Sequence, residues 1–256
     1  MGIAIITGAS SGMGREFALQ LEKSKEVDGF LLLARREERL SALASELSNA
    51  RCLAADLSTD EGLSRLFEYL ENEKPTVKYL INAAGFGKFG SYESLSEKDV
   101  SSMIDLNVKA TVLITHRVLP YMERGSHIIE LASGSCFTPL PYFNVYAASK
   151  SFVLHYTKGL RDEIKPKGVS VTAFCPGWVA TEFLDVAETV EGVPYPKNPK
   201  PLLKCERVVA YALRRARKGK TMAVTNWFTK MQHVLFKLVP DRILTVLWRK
   251  AMLKIK

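Results

Sequence analysis

Short, near-continuous apolar runs alternate along this chain with stretches whose apolar residues recur every three or four positions. The runs at 2–7, 30–34, 51–55, 78–82, 126–132 and 168–174 read as buried parallel strands, with a shorter one near 221–225. Between them, helices are expected at 15–23, 36–48, 59–73, 96–123, from 146 to about 165, and at 205–217. The long 96–123 stretch carries Asp105 and Asn107 at its middle and is expected to break near them. Strict alternation of this kind predicts an α/β fold, a doubly wound parallel sheet with helices on both faces. Residues 1–225 would form one such domain. Residues 182–203, Pro-rich and without clear period, would form a long loop over the strand ends.

Beyond 225 the pattern changes to two amphipathic segments split at Pro240, a C-terminal helical extension spanning 226–256. Met231, Val234, Leu235 and Leu238 form one apolar stripe; Ile243, Leu244, Leu247, Met252 and Ile255 lie in the second segment with Trp248. Residues 200–256 carry 15 Lys and Arg against 2 Asp and Glu, whereas the first 199 carry 21 against 25. A basic amphipathic tail on a mildly acidic body suits a lid over the cleft, a contact with a second subunit, or an anionic membrane surface. No nucleic-acid-reading motif accompanies the charge, so nucleic acid is not an expected partner.

The remaining bulk features narrow the class. The length of 256 residues suits one large domain. Cys52, Cys136, Cys175 and Cys205 are scattered without ligand spacing, so neither a metal nor a disulfide framework is expected. The strand-like start leaves no room for a signal peptide and no apolar run reaches 18 residues, so a cytoplasmic setting is expected, with membrane association as an option for the tail.

Candidate chemistry gathers at the ends of the strands. The first strand runs into Gly8, Ser10, Ser11, Gly12, Met13 and Gly14 and then a helix. Glycines at such a turn let the backbone approach a pyrophosphate, whose charge the helix N-terminus favours. The second strand ends in Arg35 and Arg36, where an acidic residue would bond the ribose 2′-hydroxyl of NAD; an arginine there suits the 2′-phosphate of NADP. Asp56 and Leu57 follow the third strand, and Asn82, Ala83, Ala84 and Gly85 the fourth; both places are natural ligand contacts or plain turns.

Tyr146 and Lys150, four residues apart on a helix, share one face, so the ammonium can stabilise the phenolate and bring the Tyr toward useful acidity. Ser133, thirteen residues upstream, could hold a carbonyl oxygen, and Ser135 could share that work. Asn107 falls at the expected helix break. Phe86, Phe89, Phe137 and Leu140, together with Tyr142, Phe143, Trp178 and Phe183, are candidates for an apolar substrate pocket.

Together, Thr7-Gly8-x-x-x-Gly12-x-Gly14, Asn82-Ala83-Ala84-Gly85, Asn107, Ser133, Tyr146-x-x-x-Lys150 and Pro176-Gly177 resemble the short-chain dehydrogenase/reductase family over about residues 2–225. The resemblance implies a Rossmann-type fold, a nicotinamide cofactor and a dimer or tetramer. It implies that Tyr146 is the general acid or base, that Lys150 lowers its pKa and bonds the nicotinamide ribose, that Ser133 orients the substrate oxygen, and that Asn107 holds a relay water. Asp56 would touch adenine, Asn82 and Gly85 would line the cofactor cleft, Val179 and Thr181 would meet the nicotinamide carboxamide, and Pro176 and Gly177 would also bind the cofactor. Two departures stand out: Ala83 replaces the second Asn of the usual Asn-Asn-Ala-Gly, and Ser11 stands where many NADP-dependent relatives carry a basic residue.

The expected function is interconversion of a bulky hydrophobic ketone, steroid-like or similar, and its alcohol, with NADP(H) favoured over NAD(H). The alternatives are a 3-oxoacyl thioester reductase and a non-catalytic dinucleotide sensor.

Overall fold

The β-branched and leucine-rich runs pair as a seven-stranded parallel sheet in the order β3-β2-β1-β4-β5-β6-β7. In this computed structural model residues 2–187, 196, 199 and 201–253 are described, the side chains of Lys237 and Leu253 excepted. Half of the loop expected at 182–203, and Lys254, Ile255 and Lys256 of the tail, lie outside the described residues. The strands are β1 (Ile3–Thr7), β2 (Phe30–Ala34), β3 (Ala50–Ala54), β4 (Val77–Asn82), β5 (Met122–Leu131), β6 (Ser170–Cys175) and β7 (Met222–Val224). The helices are α1 (Gly12–Ser24), α2 (Glu37–Ala44), α3 (Asp60–Glu73), α4 (Glu97–Ile104), α5 (Thr111–Val118), α6 (Asn144–Glu163), α7 (Phe183–Ala187), α8 (Cys205–Arg217), α9 (Trp227–Leu238) and α10 (Asp241–Leu253).

Successive residues of each strand point to opposite faces, and both faces are apolar. Ile6, Leu32, Ile81 and Ile129 pack with Phe17, Leu40 and Leu213 under α1, α2 and α8. Their neighbours Ile5, Leu31, Leu80 and Ile128 pack with Leu66 and Ile114 under α3 and α5. Each such fully buried aliphatic side chain contributes about 1.5–3 kcal/mol relative to exposure. That double burial is why the strands read as continuous apolar runs.

After β3 the chain crosses back to β4, on the other side of β1. The strand order therefore reverses between β1 and β4, and loops leaving their C-terminal ends diverge and open a crevice. Gly8 makes a close backbone approach in that crevice. It takes φ +67°, and a Cβ there would stand 2.8 Å from the Ala84 nitrogen.

Several boundaries differ from expectation, among them the end of α2 at Ala44 instead of 48. The 96–123 helix stops at Val118, and Leu119–Tyr121 tighten into a 3-10 turn because Pro120 cannot donate the next helical hydrogen bond. The following strand begins earlier than expected, at Met122. Inside the same stretch the expected break at 105–107 is a π-helical turn, Asp105–Ala110, which accommodates Asn107 without ending the helix.

Candidate active site

The crevice at the strand switch is a cleft of about 770 Å³ lined by Gly8, Ser10–Gly14, Arg35, Arg36, Asp56, Leu57 and Ala83–Gly85. It fits a dinucleotide on its own geometry. Backbone is exposed at close-packed glycines, the N-terminus of α1 faces it, and cationic side chains stand at one end. Arg36 donates to the Ser10 hydroxyl at 3.2 Å and pairs with Glu182 at 2.9 Å. Arg39 pairs with the other oxygen of the same carboxylate. The two arginines hold the Glu182 carboxyl below its usual range. Neither Arg39 nor Glu182 was expected at the site; a cation one helical turn beyond Arg35 is the signal that pointed to Arg39. Arg35 itself lies 3.8 Å from Asp56, whose carboxylate also accepts from the Ser58 amide and hydroxyl.

A second cavity of about 400 Å³ adjoins the cleft. Met13, Gly85, Leu131, Thr181 and Phe183 border both, so the two spaces share a wall. Ser133, Tyr146 and Lys150 line the second cavity near that wall. The Tyr146 ring packs against Phe143 and Phe183, at centroid distances of 4.4 and 5.3 Å, and Ser133 lines the same cavity beside it. The Ser133 oxygen accepts from the Ser135 amide at 3.1 Å. Lys150 donates to the Leu131 carbonyl at 2.7 Å, with its nitrogen 5.8 Å from the Tyr146 ring centroid.

Electrostatics at this junction depart from the simplest reading of a Tyr-x-x-x-Lys pair. Burial pushes the Tyr146 phenol well above its ordinary range, and the lowering influence on it is the Ser133 hydroxyl rather than the Lys150 charge. Burial also lowers the Lys150 ammonium, to about 8, opposed by the buried Glu130 carboxyl. In this state the phenol is held as a proton donor.

Several expected residues sit elsewhere. The Asn82 side chain turns away from the cleft and donates to Thr115 at 2.9 Å and to Glu130 at 3.0 Å, in the core between β4, β5 and α5. Asn107, fully buried, uses both ends of its amide on the Phe86 backbone, accepting from its N–H at 3.1 Å and donating to its carbonyl at 2.9 Å, and donates also to Ser149. It fixes the loop after β4, beside Lys150: a Cβ on Gly85 would meet Asn107 at 2.8 Å and Lys150 at 3.1 Å.

Pro176, Gly177 and Val179 line the second cavity rather than the glycine-rich cleft, while Thr181 borders both. Of the expected pocket residues, Ser135, Leu140, Phe143, Trp178 and Phe183 line the cavity, although the Ser135 hydroxyl is buried without a partner. Phe89 stacks behind Phe143 at 3.9 Å, Phe86 borders the cleft, and Phe137 packs on His233 of α9. Tyr142 occupies a turn at φ +65° away from the cavity. These four are supports around the pocket, not its lining.

The far wall comes from the tail. Phe228, Gln232 and Phe236 of α9, with Leu244, Trp248 and Ala251 of α10, close the cavity. Trp248 anchors α10 by donating to the Pro141 carbonyl at 2.9 Å. The i, i+4, i+8 spacing of 228, 232 and 236 was the available signal, hidden because the opposite stripe of α9 is at least as apolar.

The sequence profile of the short chain dehydrogenase family matches residues 2–191. Sulfoacetaldehyde reductase 2 of Chromohalobacter salexigens is 36% identical over 188 residues, 71% of this chain and 74% of that protein. 11-beta-hydroxysteroid dehydrogenase B of Sesamum indicum is 33% identical over 187 residues, 70% of this chain and 51% of that protein. A short-chain dehydrogenase from Sphingobium yanoikuyae, solved in complex with NADPH, superposes with a TM-score of 0.79 at 24% identity, covering 94% of this chain and 97% of that one. The glycine-rich crevice, the buried Ser-Tyr-Lys junction and these likenesses agree: the chain belongs to the short-chain dehydrogenase family of oxidoreductases.

Proposed function

We propose that the protein reduces a bulky hydrophobic ketone, or oxidises the matching secondary alcohol, with NADP(H) as the redox partner. The observation that carries this reading is the position of Tyr146 and Ser133, where the dinucleotide-sized cleft meets a cavity walled by aromatic and aliphatic side chains. A cavity of about 400 Å³ is large enough for a compact polycyclic or similar substrate.

The backbone of Gly8–Gly14 and the α1 N-terminus would hold the diphosphate, and Arg36, Arg39 and Ser10 would receive a 2′-phosphate. The nicotinamide supplies the hydride. Ser133 positions the carbonyl oxygen by hydrogen bonding. Tyr146 gives its phenolic proton to that oxygen as the carbonyl carbon gains the hydride, and Lys150 beside it stabilises the resulting phenolate until solvent returns a proton. Burial keeps the Tyr146 phenol protonated, the form that reduction needs in its general acid. Phe143 and Phe183 pack against the Tyr146 ring and fix its orientation at the border.

The test is oxidation of NADPH and of NADH over a panel of bulky ketones, steroids and 3-oxoacyl thioesters. The reading expects turnover on a hydrophobic ketone class with NADPH preferred. Turnover confined to thioesters would replace the substrate class. Tight cofactor binding without turnover on any member would replace the enzyme with a dinucleotide sensor.

A further inference from the structure

The helix pair that closes the cavity carries a second apolar stripe on its outer side. On α9, Trp227, Met231, Val234 and Leu238 follow i, i+4, i+7, i+11 spacing and are exposed, Trp227 and Leu238 by 73% and 78%. On α10, Ile243, Val246 and Leu247 repeat the pattern. Eight of the thirteen exposed large apolar side chains among the described residues belong to these two helices. An outward face of this kind on helices whose inner face is already packed is not ordinary surface; it marks an interaction site.

Charge identifies the occupant. Lys230, Arg242, Arg249 and Lys250 are exposed on the same two helices, with Asp241 as the acid among them. Lys230 and Arg214 of α8 both lie 5.4 Å from the Tyr211 ring, which joins the basic end of α8 to the patch. A second copy of this chain would bring the same cations against themselves, whereas an anionic lipid surface complements both the charge and the apolar stripe. Among the described residues no helix is long and apolar enough to cross a membrane, so such contact is in-plane.

The cavity opens toward the same face. Leu235 and Leu247 line its interior and yet are 44% and 58% exposed, so they form a rim where the inner wall continues into the outer stripe. We propose that α9 and α10 form a docking surface for anionic membranes, with Trp227, Val234 and Leu238 immersed at the lipid boundary and the cavity rim facing the bilayer. A lipophilic substrate would then enter from the lipid side; that route rests on the ketone reading, whereas the docking does not.

The experiment is co-sedimentation of the full chain with phosphatidylcholine vesicles and with vesicles containing phosphatidylglycerol, at low and high salt. Quenching of Trp fluorescence by brominated acyl chains is followed in parallel. The wild type is expected to bind the anionic vesicles, to lose roughly tenfold or more of that binding at high salt, and to be quenched. Val234→Glu with Leu238→Glu, and separately Lys230→Glu with Arg249→Glu, should each abolish binding while the thermal midpoint stays unchanged, because all four side chains are exposed. Quenching should fall in Trp227→Phe.

No binding to anionic vesicles, or binding that survives both double variants, overturns the proposal. So does light scattering that shows a dimer dissociated by the Val234/Leu238 pair, which would give the face to a second copy. Turnover of the bulky-ketone panel without vesicles is read separately: its absence in the wild type would sink the ketone reading and leave the docking result standing.

Discussion

Arg36 and Arg39 converge on the Glu182 carboxylate at the mouth of the cleft, and Ser10 completes that corner. A carboxylate flanked by two guanidiniums occupies the place where the proposed reading puts a 2′-phosphate, so the two anions would compete. Glu182 directly precedes Phe183, which borders cleft and cavity alike and packs against the Tyr146 ring. Glu182→Gln is therefore expected to tighten NADPH binding roughly three- to tenfold, the scale of one or two exposed ion pairs, and to leave NADH unchanged. Arg36→Ala should weaken NADPH alone. Equal effects on both cofactors in a fluorescence titration would remove this corner from selectivity. Arg35 and Arg36 were legible as cations lining the cleft because strand ends in such sheets face the ligand. Glu182 was not, because its contact spans 146 residues of sequence. Asn82 misled for a local reason: Asn is a common turn residue, and its true partner, the Glu130 carboxyl that burial raises to about 7, reads as surface charge in sequence.

At the scale of elements, the geometry of Tyr146 is set by what packs on it. The loop after β4 passes so close that a Cβ on Gly87 would lie 2.6 Å from the Tyr146 ring. Asn107 holds this loop by the Phe86 backbone, from a π-helical turn whose extra residue carries the amide into position. Gly87→Ala is thus expected to push the ring aside and lower kcat by roughly tenfold or more, as small displacements of reacting groups do, with cofactor affinity retained. An unchanged kcat would show that the phenol tolerates displacement. Strand and helix positions were readable from periodicity because both sheet faces are buried. Ends were less so: Pro120 stops a helix that apolar spacing alone would continue, and the mostly polar residues 122–126 join the sheet ahead of the apolar run.

Across the whole molecule, the fold separates two chemistries and joins them at one point. The switch between β1 and β4 makes a polar, glycine-floored cleft; α6 and the tail enclose an apolar cavity; Met13, Gly85, Leu131, Thr181 and Phe183 are their common border. The sheet, the glycine turn and the Tyr-Lys helix were legible because each is a local pattern. The enclosing role of 228–251 was not, since α9 is apolar on two sides and sequence alone does not say which side meets the body. The central claim is that Tyr146 supplies the proton at this border while other groups hold the dinucleotide. It is tested most directly by comparing wild type with Tyr146→Phe in two readouts on one sample: NADPH binding by fluorescence, and NADPH oxidation with an accepted ketone. The account predicts near-unchanged binding and a loss of at least about 10²-fold in turnover, the scale of a missing general acid. Turnover within a few-fold of wild type would contradict it.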